Sequence, residues 1–451
     1  MKRFLPLLAF CLAASLARPA FCASDSPRTK SFPVSLDVLP NGLLFYSDVA
    51  RTSPRVALSL QVRVGASDET PANAGWRRLF AGAVSRGVPV AYKNQVQTDD
   101  GLGLTRLAEN AGGDAGVNVG DDYLEFYAVG DSAHATQLLD LLISMWQSPR
   151  LSDADINGAK KRLSDQLDAQ DLDIAAQTNA ALRAQEFVNS AGEPVSYGLS
   201  DIGTTTSLAA LTPDTLRSLG RRVAGSNATL SAVGDVDVSA LSARLSALPA
   251  PKYPVAQAPQ FRALSQGKPA LLSRDLPIPA AFIFISYRLG RVSAQDAPIF
   301  RLLSAALSDV PNARLTKRLL SASGGGTPQA ISLASQFVAR RDGSELLITA
   351  QTSPQRVPAV TRAILQEVAR LREAPLSAKE FAAARDFTRG DWALNRQSLH
   401  DRAQLGGQAL VVSNTLDAAW PRFLASATPS GAQALAKKSL RSYASVFVAP
   451  K

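Results

Sequence analysis

Histidine and cysteine, the residues that most often bind metals or act as nucleophiles, are scarce in this chain. Its 451 residues include two His and two Cys. Neither His134 nor His400 has another His or a Glu three to five residues away, the spacing that places two ligands on one helix face. We interpret both as surface residues. Cys11 and Cys22 lie near the N-terminus. We therefore expect no zinc site, no disulfide and no thiol chemistry in the body of the chain.

Other short motifs give little chemistry. Ser265 and Lys268 match the Ser-x-x-Lys motif, but its companion Ser-Asp-Asn and Lys-Thr-Gly motifs are absent, and there is no Gly-x-Ser-x-Gly elbow. The adjacent carboxylates Asp121 and Asp122 are typical of a hairpin turn, and we favour that interpretation over a metal site.

The overall composition is that of a globular protein. Hydrophobic residues make up 46% and charged residues 19%, which excludes a disordered chain. The net charge is +10, from 48 Lys and Arg against 38 Asp and Glu, and the two signs are interspersed. Aromatic residues are only 6%, and basic residues form no long run. We therefore expect no nucleic-acid binding, because nucleic-acid binders cluster their basic residues.

The N-terminus has the pattern of a secretion signal, which we assign to residues 1–23. Lys2 and Arg3 precede an apolar stretch, residues 4–17, that is too short to span a bilayer. The sequence therefore predicts an exported protein, periplasmic if the source is a Gram-negative bacterium. No other stretch reaches 18 apolar residues, so we expect no stable membrane insertion. An uncleaved N-terminal anchor helix is the alternative.

The remainder of the chain repeats one series of predicted strands and helices at an offset of 216 to 225 residues. The matching pairs are residues 56–65 and 281–290, 123–146 and 345–371, 151–155 and 376–380, and 212–233 and 428–448. The repeat predicts two homologous α+β domains that can close on a cleft. We assign them to residues 24–247 and 269–451, joined by a Pro-rich linker at 248–268. One long helix is predicted from residue 153 to about residue 184.

Three stretches in the first half resemble one family. They are Leu-Pro-Asn-Gly at 39–42, Arg-Val-Gly-Ala-Ser-Asp-Glu at 63–69, and Ala-Gly at 74–75 before a predicted helix. Together they are similar to the start of the insulinase/pitrilysin-type metallopeptidases, which include the mitochondrial processing peptidases and short two-domain bacterial members. The resemblance extends over nearly all of the chain after the signal segment. It implies two α+β domains that form half of a clam-shell.

The resemblance also implies a lost metal site. Active members carry His-x-x-Glu-His on the helix after Ala-Gly: the two His bind zinc and the Glu activates the bound water. In this chain the His positions are Arg78 and Gly82, and the Glu position is Ala81. The position of the third ligand, a later Glu, falls near Gln166. Arg repels a metal cation and Ala cannot accept a proton, so the resemblance implies no catalytic residue, no metal and no other cofactor in the chain alone.

A second family feature lies in the C-terminal half. Residues 312–319 resemble the Ser-Arg-Leu helix, whose Arg acts with a downstream Tyr on the substrate backbone, and Arg314 matches that Arg. The Tyr position falls near Thr327, after three glycines at 324–326. We therefore assign Arg314 and Thr327 as substrate-binding residues. An ordinary surface Arg is the alternative for Arg314.

Three functional hypotheses follow. The first is a non-catalytic subunit that forms a heterodimer with a catalytic insulinase-type subunit carrying His-x-x-Glu-His, and that helps to enclose a peptide substrate. The alternative is a stand-alone peptide-binding or scaffold protein of the cell envelope. The third is an enzyme whose active site has moved elsewhere in the fold.

Overall fold

The computed structural model describes residues 34–87, 102–170, 173–264, 270–274, 280–321 and 327–450. The chain from Pro33 onward forms one compact unit. The predicted signal segment, the Ser265 and Lys268 pair and the glycines at 324–326 lie outside the described residues.

The first half is a sheet with helices packed against it. Its elements are β1 (Ser35–Val38), β2 (Leu44–Val49), β3 (Arg55–Val62), α1 (Trp76–Arg86), α2 (Gly103–Asn110), β4 (Asp114–Val119), β5 (Leu124–Asp131), α3 (Ala135–Gln147), α4 (Asp153–Gln170), α5 (Ile174–Glu186), α6 (Thr205–Ala210), α7 (Pro213–Ala224), β6 (Ala228–Gly234) and α8 (Val238–Ser246).

The second half repeats this design. Its elements are β7 (Ala270–Arg274), β8 (Ala281–Gly290), α9 (Ala297–Ser308), β9 (Ser332–Val338), β10 (Ser344–Thr352), α10 (Val357–Glu373), α11 (Ala378–Leu394), α12 (Leu399–Ser413), α13 (Trp420–Ala425), α14 (Pro429–Ser439) and β11 (Ala444–Pro450).

The two sheets share one topology, except that sheet one has the additional edge strand β1. Sheet one has the strand order β1-β2-β6-β3-β5-β4, and sheet two has the order β7-β11-β8-β10-β9. In each half the last strand is inserted into the sheet, parallel to the first of its neighbours and antiparallel to the second. The predicted α+β fold class is confirmed. The shared topology is what an internal duplication predicts, while the domain boundaries stay predictions.

Helix starts follow the capping residues expected from the sequence. Thr212 and Thr428 accept hydrogen bonds at the N-termini of α7 and α14, with Pro in the first turn, and Ser377 forms a capping box with Glu380 at α11. The single long helix predicted from residue 153 is wrong, because α4 ends at Gln170 and α5 begins at Ile174. Asp173 caps α5 through its side chain, so the polar segment starts a new helix.

Each half covers the sheet of the other half with one helix, and we call α5 and α12 the exchanged helices. Helix α5 packs on β8 and β11 of sheet two, where Leu182 joins a cluster with Phe284 and Val446. Helix α12 packs on β3 and β6 of sheet one, where Leu410 joins Tyr46. Helices therefore pack on both faces of each sheet.

Two glycines in α12 allow the backbone of this helix to lie close to sheet one. A Cβ at Gly406 would lie 2.8 Å from the ring of Tyr46, and one at Gly407 would lie 2.9 Å from the amide of Gln61. Glycine at these positions lets the helix axis come near the sheet. The Gln61 side chain then donates to the carbonyl of Gln404 at 2.7 Å.

A buried Ser–Glu pair lies beneath each exchanged helix at the same place in each sheet. Ser59 on β3 donates to Glu125 on β5 at 2.6 Å, and Ser286 on β8 donates to Glu345 on β10 at 3.0 Å. In each sheet, one residue of the neighbouring strand faces the Ser. The Glu lies two residues before that facing residue in the sequence. The similarity of the two sheets thus extends to their buried polar groups.

The two exchanged helices place different side chains beside these Ser–Glu pairs. From α12, Gln404 donates to Glu125 at 2.8 Å and His400 lies 3.5 Å from it, stacked on Tyr127. The nearby carboxylate of Glu125 raises the pKa of His400. Burial opposes ionisation of Glu125, but its interactions with His400 and Ser59 outweigh this and lower its pKa. The predicted surface position of His400 is wrong, since only 26% of its side chain is exposed.

From α5, Glu186 enters the equivalent site as a second carboxyl group. Ser286 is 2.9 Å from Glu186 Oε1, while Glu186 Oε2 is buried and accepts no hydrogen bond. Burial and the neighbouring Glu345 raise the pKa of Glu186 well above its ordinary value. We therefore treat Glu186 as protonated, which allows its hydroxyl to donate.

A buried arginine joins the halves next to this site. Arg340 pairs with Asp121 in the β4–β5 turn and with Glu345 at 2.9 Å. Burial opposes the charge of Asp121, but Arg340 and Arg183 hold the pKa of Asp121 below its usual range. The neighbouring Asp122 accepts from the backbone of Arg341 at 2.8 Å. The hairpin interpretation of the two aspartates is confirmed, and the turn also connects the halves.

The predicted linker runs along the surface of both halves. Its described part, residues 248–264, contains no helix or extended strand. The amide of Tyr253 donates to the carbonyl of Gly225 at 3.0 Å, and the ring of Phe261 packs 5.2 Å from that of Phe187. These two contacts therefore fix the linker against the rest of the protein.

We expect Arg340→Ala to lower the free energy of unfolding by about 3–5 kcal/mol, because it leaves the buried carboxylate of Glu345 without its cation and leaves Asp121 with Arg183 alone. Denaturant unfolding followed by circular dichroism measures this loss. Lys161→Ala, which breaks an exposed pair with Asp165, is the control and should cost no more than about 0.5 kcal/mol. Equal losses of unfolding free energy in the two variants would contradict a stabilising role for Arg340.

We expect Glu186→Gln to flatten the pH dependence of stability. The unfolded chain releases this proton near the ordinary pKa of Glu, whereas the folded chain keeps it, so stability falls as pH rises from there towards the raised value. The amide removes that loss and can still donate. The measurement is the difference in unfolding free energy between variant and parent from pH 4 to pH 8, with exposed Glu109→Gln as the matched control. A difference that does not grow with pH would contradict a protonated Glu186.

Candidate functional site

The helix that carries the positions of the lost motif, α1, begins at a tight backbone contact. Gly75 caps α1 with φ of 86°, and a Cβ there would lie 2.6 Å from the amide of Gly203. Ser207 donates to the carbonyl of Ala74 at 2.9 Å. Only glycine fits this approach, which explains why Ala-Gly precedes the helix.

A buried ion pair anchors the first turn of α1. Glu69 accepts from the backbone of Arg77 at 3.3 Å, and the Arg77 guanidinium lies 3.4 Å from the same carboxylate. Arg77 also donates to the carbonyl of Gly120 at 2.6 Å. Burial raises the pKa of Glu69 even though Arg77 opposes the shift. This pair was not predicted from the sequence, because its members lie eight positions apart on either side of an irregular segment.

The residues at the three positions of the lost motif make other contacts. Arg78 points away from a metal site and pairs with Asp201 at 2.8 Å. Ala81 is buried and apolar. Gly82 lies against α4, where an added Cβ would be 3.3 Å from the Cβ of Ala159. The two helices are therefore too close at Gly82 to admit a ligand side chain without moving.

Helix α4 places Gln166 in a cavity of about 690 Å³ beside this pair. Asp201, the partner of Arg78, lines the same cavity, while Arg78 does not. The cavity also contains the side-chain amides of Gln170 and Asn179. Amide groups donate and accept hydrogen bonds, so this arrangement suits polar recognition and not metal chemistry.

Metal ligands are not grouped in the described part of the chain. Among those residues, no three His, Cys, Asp or Glu side chains are placed to hold an ion. His134 lies exposed before α3, as predicted. The Ser59, Glu125 and His400 group is not a nucleophilic triad, because the fully buried Ser59 donates to Glu125 and not to His400. No described group supports a relocated active site.

Arg314 lines a larger cavity, of about 1020 Å³, near the start of α11. Its guanidinium binds both oxygens of Glu380, at 2.8 and 3.3 Å. This hydrogen bonding lowers the pKa of Glu380 to about 2. Arg314 thus has a structural contact that the sequence did not reveal, and its side chain is only 16% exposed, so it is not the ordinary surface Arg of the alternative.

Thr327 lies apart from that cavity. It is exposed, does not line the cavity of Arg314, and accepts a hydrogen bond from Arg356 at 2.8 Å. The structure therefore does not bring Arg314 and Thr327 together, and their role in substrate binding stays a prediction.

Comparison with known proteins identifies what this fold resembles. The family described as the peptidase M16 inactive domain matches residues 211–387, from α7 into α11. This range does not include α1. The interpretation of positions 78, 81 and 82 therefore depends on the sequence of α1 and not on this match. The predicted resemblance to the insulinase-type peptidases is confirmed. No curated protein sequence matches the chain.

Solved structures share the fold over almost the whole chain. A protease from Helicobacter pylori is 16% identical with a TM-score of 0.79, and the match covers 93% of this chain and 100% of that one. A peptidase M16 inactive domain from Pseudomonas fluorescens is 17% identical with a TM-score of 0.77, covering 93% and 98%. A chain of complex III2 from Candida albicans is 15% identical with a TM-score of 0.72, covering 92% and 96%. At these identities the likeness concerns the fold.

We expect Gly82→His to lower the free energy of unfolding by about 1–3 kcal/mol, because the imidazole must push α4 away from α1. Denaturant unfolding measures the change. Arg78→His, on the same helix but half-exposed, is the control and should cost less than about 1 kcal/mol. An unchanged stability for Gly82→His would show that the helices separate easily and that the site is missing only its ligands.

Proposed function

We propose that this peptidase M16 homologue is an exported, non-catalytic subunit of a heteromeric zinc protease and contributes to its peptide-binding chamber. One observation carries the proposal. Helix α1 keeps its anchors at Gly75 and Glu69 and its packing against α4, while the ligand positions hold Arg78, Ala81 and Gly82. The scaffold of a metallopeptidase is present without the groups that perform the chemistry.

The chemistry of these three positions supports inactivity of the chain alone. A cationic guanidinium paired with Asp201 cannot serve as a metal ligand, and a methyl group cannot activate water. A metal and a general base must then come from a catalytic insulinase-type subunit that carries His-x-x-Glu-His. This chain supplies walls and polar cavities for a peptide.

The location of the protein rests on its N-terminal pattern. Residues 1–23 support export, and a periplasmic location if the source is a Gram-negative bacterium. Among the described residues, no helix combines the length and apolar character needed to cross a bilayer. The partner protease is therefore sought among exported proteins.

A stand-alone peptide-binding or scaffold protein of the cell envelope is the second candidate function. The observation that favours it is the likeness to a chain of complex III2, which places this fold within a named multi-protein complex of another organism. The two candidates differ in their expected partner.

Affinity capture of the tagged full chain from its native exported fraction tests the proposal. We expect stoichiometric recovery of a chain with His-x-x-Glu-His, identified by mass spectrometry, and zinc-dependent peptide cleavage that needs both chains. Cleavage by either purified chain alone is the control. Recovery of this chain alone, or with unrelated envelope proteins, would favour the second candidate and contradict the first.

Arg314→Ala then tests the substrate role of that residue. If Arg314 binds substrate, partner-dependent cleavage is lost while pairing and thermal stability are kept. Arg370→Ala is the matched control, because Arg370 lines the same cavity and pairs with Glu367 at 2.8 Å. Lost stability with unaltered specific cleavage would instead assign Arg314 to the structural pair with Glu380.

A further inference from the structure

Helix α12 belongs to an arm of the second half that reaches over sheet one. Arg396 precedes α12 in the chain and Asp417 follows it, and Arg396 Nε donates to the Asp417 carboxylate at 2.5 Å. The guanidinium of Arg396 also lies 4.3 Å from the ring centre of Trp392 in α11. The two ends of the arm are therefore held together within the second half, and we call residues 397–416 the α12 arm.

The α12 arm packs mainly on the other half of the protein. Its helix contacts β3, β5 and β6 of sheet one. On its other side, a cavity of about 940 Å³ lies between α12 and the elements α9, α11 and β9 of its own half. Helix α5 differs, because Arg183 joins it to its own half by donating to the carbonyl of Tyr197 at 2.7 Å. The α12 arm therefore has room to leave sheet one without disturbing the core of the second half.

The arm covers a row of polar side chains on the two central strands of sheet one. Four fully buried residues of β3 and β6 face α12: Ser59, Gln61, Thr229 and Ser231. Among the described residues, Gln61 Oε1 and the hydroxyls of Thr229 and Ser231 have no hydrogen-bond partner. Apolar contacts such as that of Leu410 with Tyr46 flank this row. The buried polar groups oppose docking of the arm, because water hydrates them when the arm leaves.

Helix α5 covers a surface of different character on sheet two. The equivalent strands, β8 and β11, carry Phe282, Phe284, Val446 and Val448, which pack with Leu182 of α5. Removal of α5 would expose this apolar surface to water, which is unfavourable. Of the two exchanged helices, α12 is therefore the one that can be released.

One contact of the arm can change its charge near neutral pH. His400 Nε2 lies 3.5 Å from Glu125 Oε1, and the imidazole stacks on Tyr127 with 4.3 Å between ring centres. The remaining charged groups around His400 are carboxylates, Asp114 of β4 and Asp401 of α12. The nearby cation of the arm, Arg402, is paired with Asp48 of β2. The surroundings of His400 therefore favour its imidazolium form.

The proton on His400 links docking of the arm to pH. Glu125 raises the pKa of His400 although burial opposes this shift. The docked arm therefore holds the proton more tightly than a released arm, in which His400 has an ordinary pKa near 6.5. This contribution to docking is fully present below that ordinary pKa, and it is lost as pH rises through the raised one.

We propose that the α12 arm is a releasable strap, which closes on sheet one through the contact of His400 with Glu125 and detaches as the pH rises. Helix α5 and the pair of Arg340 with Asp121 lie outside the arm and keep the halves joined when it leaves. Release uncovers the polar row of sheet one. This inference does not depend on pairing with a protease chain.

Thiol labelling of the full chain measures release. In a background with Cys11→Ser and Cys22→Ser, Ser231→Cys places a thiol beneath the arm and Ala444→Cys places the matched thiol beneath α5. Each labelling rate is divided by that of the unfolded chain at the same pH, which cancels ionisation of the thiol. We expect Ser231→Cys to react at least about tenfold faster than Ala444→Cys at pH 8, and about three- to tenfold faster at pH 8 than at pH 6. Equal rates at the two sites, or a Ser231→Cys rate that is the same at both pH values, would overturn the proposal.

His400→Gln separates the proton of His400 from that of Glu186. The amide can still donate a hydrogen bond to Glu125 but takes up no proton, so labelling of Ser231→Cys should become independent of pH between 6 and 8. His134→Gln, which replaces the exposed imidazole before α3, is the matched control and should leave the pH dependence unchanged. A pH dependence that persists in His400→Gln would contradict the link between this proton and the arm.

Thr229→Val tests the polar row. The substitution removes a buried hydroxyl without a partner, so the arm should dock more tightly and labelling of Ser231→Cys should slow about two- to tenfold. Thr388→Val removes an equally buried hydroxyl without a partner from α11 and should leave this labelling unchanged. The same rate in Thr229→Val as in its parent would overturn the role of the polar row.

Hydrogen exchange of the unsubstituted chain keeps the proposal testable if the Cys variants fail to fold. Peptides from α12 should exchange at least about tenfold faster than peptides from α5 at pH 8, after correction for intrinsic exchange rates. The difference should shrink at pH 6. Equal protection of the two helices at pH 8 would overturn the proposal.

Discussion

The exchange of α5 and α12 between the halves is the constraint on which the rest of the structure depends. Each sheet packs its own helices on one face and a helix from the other half on the opposite face. Separating the halves would expose two apolar faces, and each buried side chain contributes about 1.5–3 kcal/mol. The relative position of the halves is therefore fixed by core packing, and every cavity between helices inherits its shape from that arrangement.

Polar groups make the exchange specific. The Ser59–Glu125 and Ser286–Glu345 pairs occupy the same register in the two sheets, yet the incoming helices meet them with an imidazole in one case and a carboxyl group in the other. Arg340 then connects the second pair to the β4–β5 turn. Buried polar groups add little net stability, but a helix in the wrong site would leave them without partners, which is costly.

The same packing accounts for the functional features. In the first half, α1 and α4 lie close together at Gly82, and Arg78 pairs with Asp201. In the second half, a cavity lined by aromatic side chains lies between helices. The two halves therefore share a helix-on-sheet design but differ in how closely their helices pack.

The sequence by itself determined the α+β class, the repeated order of strands and helices, most helix caps and the absence of the metal ligands at 78, 81 and 82, because these depend on local periodicity and residue type. It missed the break between α4 and α5, since a polar segment of good helix formers hides a cap at Asp173. It also missed the pairs of Arg77 with Glu69, Arg314 with Glu380 and His400 with Glu125. Only the tertiary structure decided these pairs, because packing within one half joins Arg77 to Glu69 and Arg314 to Glu380, and the packing of α12 on the sheet of the other half joins His400 to Glu125.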